Sequence, residues 1–224
     1  MHDHPDLAEL GARISAEDPT AGRTGTETVR TDERAAVIAD PAPLGLAGFA
    51  LTTFVLSLVN ANWMPAATAP VVLGLALAYG GVAQLLAGMW EFRRGNTFGA
   101  TAFGSFGAFW IAFWAYVTFY ADKIPAADAG TATGWFLIAW GIFTTIMLVA
   151  SMRTSAGVFV VFLLLAITFY LLGFGAWTTH AWVTKAGGWF GIATAGAAWY
   201  TAMAAVASST FGRAVLPNPP LSGR

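Results

Sequence analysis

Long runs without a charged residue are the feature that most constrains this chain of 224 residues. Five runs contain no Asp, Glu, Lys or Arg, at 41–90, 95–121, 129–152, 154–184 and 186–212. Charged residues make up 10% of the whole chain, against roughly a quarter in an ordinary soluble domain. An uncharged apolar stretch of about 18 or more residues is long enough to cross a bilayer as a helix. The chain is therefore predicted to be an integral membrane protein.

The longest run must contain two spans, because the segment "NANWMPAATAP" at 60–70 interrupts it with two prolines. We predict an all-α fold of six transmembrane helices, at about 44–62, 71–90, 98–120, 133–152, 156–177 and 187–208. Three parts of the chain follow from this: a disordered cytoplasmic N-terminal tail at 1–39, a membrane domain at 40–212 and a cytoplasmic C-terminal tail at 213–224.

Basic residues are divided unequally between the two sides of the predicted membrane. Six spans place both termini on one side, together with Arg13, Arg23, Arg30, Arg34, Arg93, Arg94, Arg153, Arg213 and Arg224. The loops on the opposite side hold Lys123 and Lys185. Because an excess of Lys and Arg marks the cytoplasmic side, both termini are predicted to be cytoplasmic.

Composition argues against several classes of function. The net charge of −1 gives no electrostatic basis for nucleic-acid binding. Cysteine is absent, and no His or Glu pattern suggests a metal site, so we expect neither metal nor cofactor and no enzymatic activity. No ionisable residue lies well inside a predicted span, and Glu91 is placed at a span end. This favours a pathway lined by hydroxyls, amides and aromatic rings over a buried proton relay.

A polar stripe on the first span is the best candidate for such a lining. Its members share one helix face and are Phe49, Thr53, Ser57 and Asn60, with Thr52 beside them. Gln84 places a neutral amide within the second span, and the third span carries aromatic residues at Phe103, Phe106, Trp110 and Phe113. The polar stripe and Gln84 have two interpretations: hydrogen bonding and packing between helices, or contact with a solute path that narrows at Phe49. The aromatic stripe is more typical of lipid contact or helix packing.

Several motifs resemble those of the acetate uptake transporter family. They are "DPAPLGLAGF" at 40–49, "YGGVAQLLAGMWEFRRGNTFG" at 79–99, "GW" at 188–189 and "FGRAVLP" at 211–217. The resemblance implies six helices per subunit and a ring-like homo-hexamer with one pathway through each subunit. It also implies movement of acetate, and often of succinate or other short carboxylates, across the plasma membrane.

The resemblance further implies an apolar constriction made of one Phe, one Tyr and one Leu. The Phe position falls on Phe49, the Tyr position on Phe106, and the Leu position on Leu164 to within one or two residues. Phe106 keeps the constriction apolar but lacks the tyrosine hydroxyl. Asp40 is a second departure, because the family signature has Asn at this place.

The signature at 40–46 also has the chemistry of a helix start. Asp40 is a favoured N-cap, Pro41 and Pro43 would occupy the first and third helical positions, and Gly45 follows. The positive end of this helix could meet a carboxylate at the cytoplasmic mouth.

The sequence thus predicts a permease or channel for acetate and related short carboxylates. Polar vestibules built from Thr52, Thr53, Asn60 and Gln84 would flank the constriction. Coupling to protons stays open, since the acid itself can carry the proton. Two alternatives stay open as well: a channel for a small neutral solute such as urea or ammonia, and a membrane protein that senses or scaffolds without transport.

Overall fold

A computed structural model describes residues 38–221 of the chain. Nearly all of the predicted N-terminal tail, residues 1–37, lies outside the described residues, as do 222–224 of the predicted C-terminal tail. Within 38–221 there is no β-strand, and an isolated antiparallel bridge joins Ser155 to Pro220.

Six helices in the described range are long and apolar enough to cross a membrane: α1 (Ala42–Asn60), α2 (Val71–Arg93), α3 (Thr97–Lys123), α4 (Ala126–Ser151), α5 (Ala156–Thr178) and α6 (Ala181–Phe211). The predicted all-α class and the six spans are confirmed. α4 and α6 begin several residues before their predicted starts at 133 and 187, and so include Asp128 and Lys185. The predicted spans stopped short of these charged residues because they were drawn from uncharged apolar stretches. A helix can continue past the bilayer into water, where a charged residue does not end it.

The start of α1 lies one residue later than the sequence suggested. Pro41, rather than Asp40, is the N-cap, so Pro43 occupies the second helical position. The Asp40 carboxylate still accepts a hydrogen bond from the Ala42 amide at 3.1 Å, and it forms an ion pair with Arg94. Gly45 lies where α1 approaches α3, because a Cβ there would come within 2.6 Å of the Phe103 ring.

α2 contains a π-helical segment at Ala78–Ala83, just before Gln84. Gly80 in this segment packs against α1, where a Cβ would lie 2.6 Å from the Thr52 hydroxyl oxygen. That hydroxyl donates to the Gly48 carbonyl at 2.9 Å and approaches the Leu75 carbonyl at 3.4 Å. Single π-helical turns often accompany functional positions, and this one sets the rotation of the helix that carries Gln84.

Candidate functional site

Three cavities lined by the described residues follow one another through the bundle. The inner cavity, about 150 Å³, lies on the side that carries Arg94 and Arg153. The central cavity is about 40 Å³ and the outer cavity about 270 Å³. The central cavity shares Phe49 and Leu165 with the inner one, and Leu56 and Asn60 with the outer one. Neighbouring cavities therefore meet at common side chains, as a path across the protein requires.

An apolar layer separates the inner cavity from the central one. Phe49 and Leu165 line both cavities, whereas Phe106 faces the inner one and Phe169 the central one. The ring centroids of Phe49 and Phe106 are 6.0 Å apart, and the Phe106 and Phe169 rings stack at 6.4 Å. All four side chains are at least nine-tenths buried. The layer brings together residues from α1, α3 and α5.

Leu164 does not belong to this layer. It is half-exposed and, among the three cavities formed by the described residues, lines none. Its neighbour Leu165 is buried and lines two of them. One residue turns a helix by about 100°. The leucine position implied by the resemblance was Leu164 to within one or two residues, and Leu165 lies within that range; which leucine forms a constriction stays a prediction.

The polar stripe of α1 faces the central cavity. Thr53, Ser57 and Asn60 all line the central cavity, on the same side of α1 as Phe49. Thr52 does not, because its side chain points to the π-helical segment of α2 and is bonded there. Trp110 of α3 and Thr168 of α5 also line the central cavity, although the sequence pattern favoured lipid contact or helix packing for the aromatic stripe that contains Trp110.

Gln84 and Glu91 place two buried polar side chains beside the inner cavity. Their exposed fractions are 1% and 0%. The side-chain amide Nδ2 of Asn96 donates to Oε2 of Glu91 at 2.9 Å. The side-chain oxygen Oδ1 of Asn96 caps α3 by accepting from the Gly99 backbone amide at 3.1 Å. Gly99 leaves room for the carboxyl group, since a Cβ there would lie 2.8 Å from Cδ of Glu91.

Glu91 is a site residue that the sequence reading missed. The sequence reading placed Glu91 at the end of the second span, whereas α2 continues to Arg93 and the Glu91 side chain is buried beside the inner cavity. Glu91 follows Gln84 by seven residues, so the two side chains lie on one helix face. The seven-residue spacing from Gln84 is the sequence pattern that could have identified Glu91 as a residue of the same site.

The outer cavity has a polar rim from several helices. The hydroxyl groups of Tyr116 on α3 and Thr133 on α4 are hydrogen-bonded at 2.8 Å, and both residues line the cavity. Asn60 and Thr184 contribute further polar groups. The sequence reading pointed to Asn60 only, because the other three occur singly in apolar helices.

Charge at the inner mouth is balanced by an ion pair. Asp40, before α1, contacts Arg94, after α2, and both side chains remain partly exposed. The sequence alone suggested that Asp40 places an unpaired negative charge at this mouth. In the structure that charge is paired with Arg94.

The chain was compared with known proteins. The model described as the GPR1/FUN34/yaaH family matches residues 24–223. Acetate permease A of Emericella nidulans is 46% identical over 194 residues, which cover 80% of this chain and 65% of the relative. Ammonia transport outward protein 2 of Saccharomyces cerevisiae is 46% identical over 175 residues, which cover 76% and 62%. The chain thus spans less than two-thirds of the length of these fungal relatives.

Bacterial relatives match over nearly their whole length. The succinate-acetate/proton symporter SatP of Escherichia coli K12 is 38% identical over 182 residues, which cover 80% of this chain and 95% of the relative. A solved structure of the bacterial acetate channel SatP superposes with a TM-score of 0.76 at 36% identity, covering 81% of this chain and 99% of that one. These relatives are named as transporters or channels, and the motifs at 40–49 and 79–99 pointed to the same family. The chain belongs to the GPR1/FUN34/yaaH family.

Proposed function

We propose that this protein moves acetate and related short carboxylates, including succinate, across the plasma membrane through a path within each subunit. The observation that carries the proposal is the series of three cavities with one apolar layer between polar linings. Relatives named acetate permease and succinate-acetate/proton symporter support the choice of substrate.

The proposed path solves a solvation problem. An ionised carboxylate in an apolar medium costs tens of kcal/mol by idealised estimates. Thr53, Asn60 and Gln84 would replace part of its water on either side of the layer, and the layer itself would exclude water and bulky solutes. Phe106 keeps the layer apolar where the family has tyrosine, so selection at this point rests on size and dehydration.

Assembly and orientation complete the proposal. The ring-like homo-hexamer rests on the family resemblance, and the apolar groove between α1 and α6, lined by Leu44, Met203 and Phe211 among others, is a surface on which a neighbouring subunit would pack. The arginines at the inner mouth support cytoplasmic termini. The lipid bilayer covers the remaining apolar surface, and no metal, cofactor, nucleic acid or enzymatic activity enters the proposal.

Ammonia is the second candidate substrate. A yeast relative carries the name ammonia transport outward protein 2. Gln84 and Glu91 offer acceptor oxygens at the inner cavity, which suit an N–H donor. A protein that senses or scaffolds would conduct neither substrate.

Flux into liposomes containing the purified full chain tests these candidates. Radiolabelled acetate, succinate, urea and methylammonium are offered separately, with protein-free liposomes as the background. Protein-dependent acetate flux supports the proposal, flux of methylammonium or urea alone supports a neutral-solute channel, and no flux supports a sensor.

A matched pair of variants ties that flux to the path. Leu165→Trp fills the layer between the inner and central cavities and is expected to bring acetate flux close to background. Leu164→Trp adds the same volume beside the path and is expected to retain most of the flux. Equal fluxes in the two correctly assembled variants would contradict the proposed path.

A further inference from the structure

Four buried side-chain atoms have no hydrogen-bond partner among residues 38–221: Oγ1 of Thr53, Nε1 of Trp110, Oε1 of Gln84 and Oε1 of Glu91. Each of these residues is at least nine-tenths buried, and each lines a cavity that meets the apolar layer. Buried polar groups in proteins nearly always find a partner, so a group beside a cavity with no protein partner is available to water or to a solute in that cavity.

The two atoms at the central cavity are hydrogen-bond donors. An indole N–H can only donate, and a threonine hydroxyl can donate while rotating freely. Thr53 differs from other buried threonines of the described chain, whose hydroxyls bond to the carbonyl four residues earlier; these are Thr52, Thr144, Thr168, Thr194 and Thr201. The central cavity thus offers donors to a group that only accepts, such as a carboxylate anion.

The two atoms at the inner cavity are acceptors. Asn96 occupies Oε2 of Glu91, whereas Oε1 is not bonded to any residue that the structure describes. The nearby charges, Asp40 and Arg94, are engaged with each other. From α3, Asn96 contributes a neutral amide. An ionised Glu91 therefore repels a carboxylate anion and attracts an O–H donor.

We infer that the two cavities bind the same carboxyl group in different protonation states. Thr53 and Trp110 bind the anion in the central cavity, and Glu91 with Gln84 binds the carboxyl group while it shares a proton with Oε1 of Glu91. This inference rests on the proposed transport of short carboxylates. It locates the coupling between proton and carboxylate movement in the inner cavity, with Glu91 as the proton-binding residue.

Charge and protons balance along this path. The anion in the central cavity takes one proton from water on the outer side and crosses the apolar layer as the neutral acid. In the inner cavity that proton lies between the substrate oxygen and Glu91, so the pair carries a single negative charge. The substrate leaves as the anion, the proton passes to cytoplasmic water, and Glu91 is ionised again.

The donor site is tested with Thr53→Val, which keeps the shape and removes the hydroxyl donor, and with Trp110→Phe, which removes the N–H donor together with one ring. Acetate flux into liposomes at neutral pH is expected to fall about tenfold for each variant, the loss typical of a hydrogen bond to a charged group. Thr53→Ser is expected to recover most of the flux lost in Thr53→Val. The matched controls are Thr144→Val, a buried threonine outside the cavities, and Trp135→Phe, a surface tryptophan.

The acceptor site is tested with Glu91→Gln, with Asp128→Asn as an exposed control. An acidic exterior is expected to accelerate wild-type acetate uptake above the protein-free background. Glu91→Gln is expected to reduce that acceleration at least about fivefold, because an amide cannot exchange the proton. Size-exclusion profiles and melting temperatures verify that each variant is assembled.

Two failures are distinguishable. Wild-type liposomes without acetate flux would refute the proposed function itself. Wild-type flux together with Thr53→Val and Trp110→Phe behaving like their controls, or Glu91→Gln responding fully to the pH gradient, would overturn the inference and leave carboxylate transport standing.

Discussion

The two buried faces of α1 contain similar residues but have different surroundings: one packs against α2 and the other lines cavities. One face carries Gly48 and Thr52 against the π-helical segment of α2, and the Thr52 hydroxyl is bonded to backbone carbonyls. The other face carries Phe49 and Thr53 beside the cavities, and the Thr53 hydroxyl has no hydrogen-bond partner within the described range. Adjacent threonines, about 100° apart on the helix, therefore face a helix–helix contact and a cavity respectively. Residue type alone does not separate these roles.

The cavity face is disturbed most by Phe49→Ala. Removing a buried phenylalanine costs about 3–5 kcal/mol of stability and opens the layer between the inner and central cavities. We expect uptake of lactate and succinate to rise several-fold relative to acetate, because the layer selects by size. Radiolabelled uptake in cells or liposomes, expressed as a ratio of substrates, removes differences in protein amount.

Phe54→Ala is the matched control for this change. Phe54 packs on Trp199, with ring centroids 5.2 Å apart, and does not line any of the three cavities that the described residues form. It should lower stability without altering the substrate ratio. The same ratio shift in both variants would mean that the layer does not select.

The packing face is disturbed by Gly80→Val. A Cβ at Gly80 meets Thr52 at 2.6 Å, and overpacking of this kind costs about 1–3 kcal/mol. We expect a lower melting temperature and less assembled protein. Gly74→Val is the control on the same helix, since a Cβ there meets no atom of the described structure within 4 Å. Equal melting temperatures would contradict the close contact between α1 and α2.

The sequence predicted the architecture well, because charges are excluded from the bilayer and so mark the loops. It also predicted the cavity face of α1, where Phe49, Thr53 and Asn60 recur at helical spacing. Thr52 was placed beside that face, and only the position of α2 shows that it belongs to the packing contact. Information of this kind comes from the neighbouring helix and is absent from the pattern of α1.

Leu164 and Glu91 show two further limits of sequence reasoning. α5 is apolar around its whole circumference, so no periodicity distinguishes Leu165, which lines the inner and central cavities, from Leu164, which lines neither. Glu91 was set aside because a carboxylate ends an apolar window. A polar group near the end of a span is nevertheless tolerated when it faces a cavity and an amide such as Asn96.

Thr52→Val sharpens the comparison between the adjacent threonines. The change removes the hydroxyl that bonds the Gly48 carbonyl, and we expect it to cost about 0.5–1.5 kcal/mol of stability. Acetate flux per assembled subunit should stay at the wild-type level, because Thr52 lies outside the cavities formed by the described chain. Thermal unfolding and liposome flux are measured on the same preparation. A flux defect without a loss of stability would place Thr52 on the path after all.

Asp40→Asn has the smallest expected effect on the fold. Asparagine keeps an oxygen for the Ala42 amide, and an exposed ion pair such as Asp40–Arg94 contributes about 0–1 kcal/mol. The change releases the Arg94 guanidinium at the inner mouth, where a positive charge raises the local concentration of anions. Acetate flux should therefore rise modestly at low salt and return to the wild-type value at high salt, where such attraction is screened. Adding Arg94→Gln to Asp40→Asn should abolish the gain. A gain that survives either high salt or the loss of Arg94 would show that the mouth acts through something other than this charge.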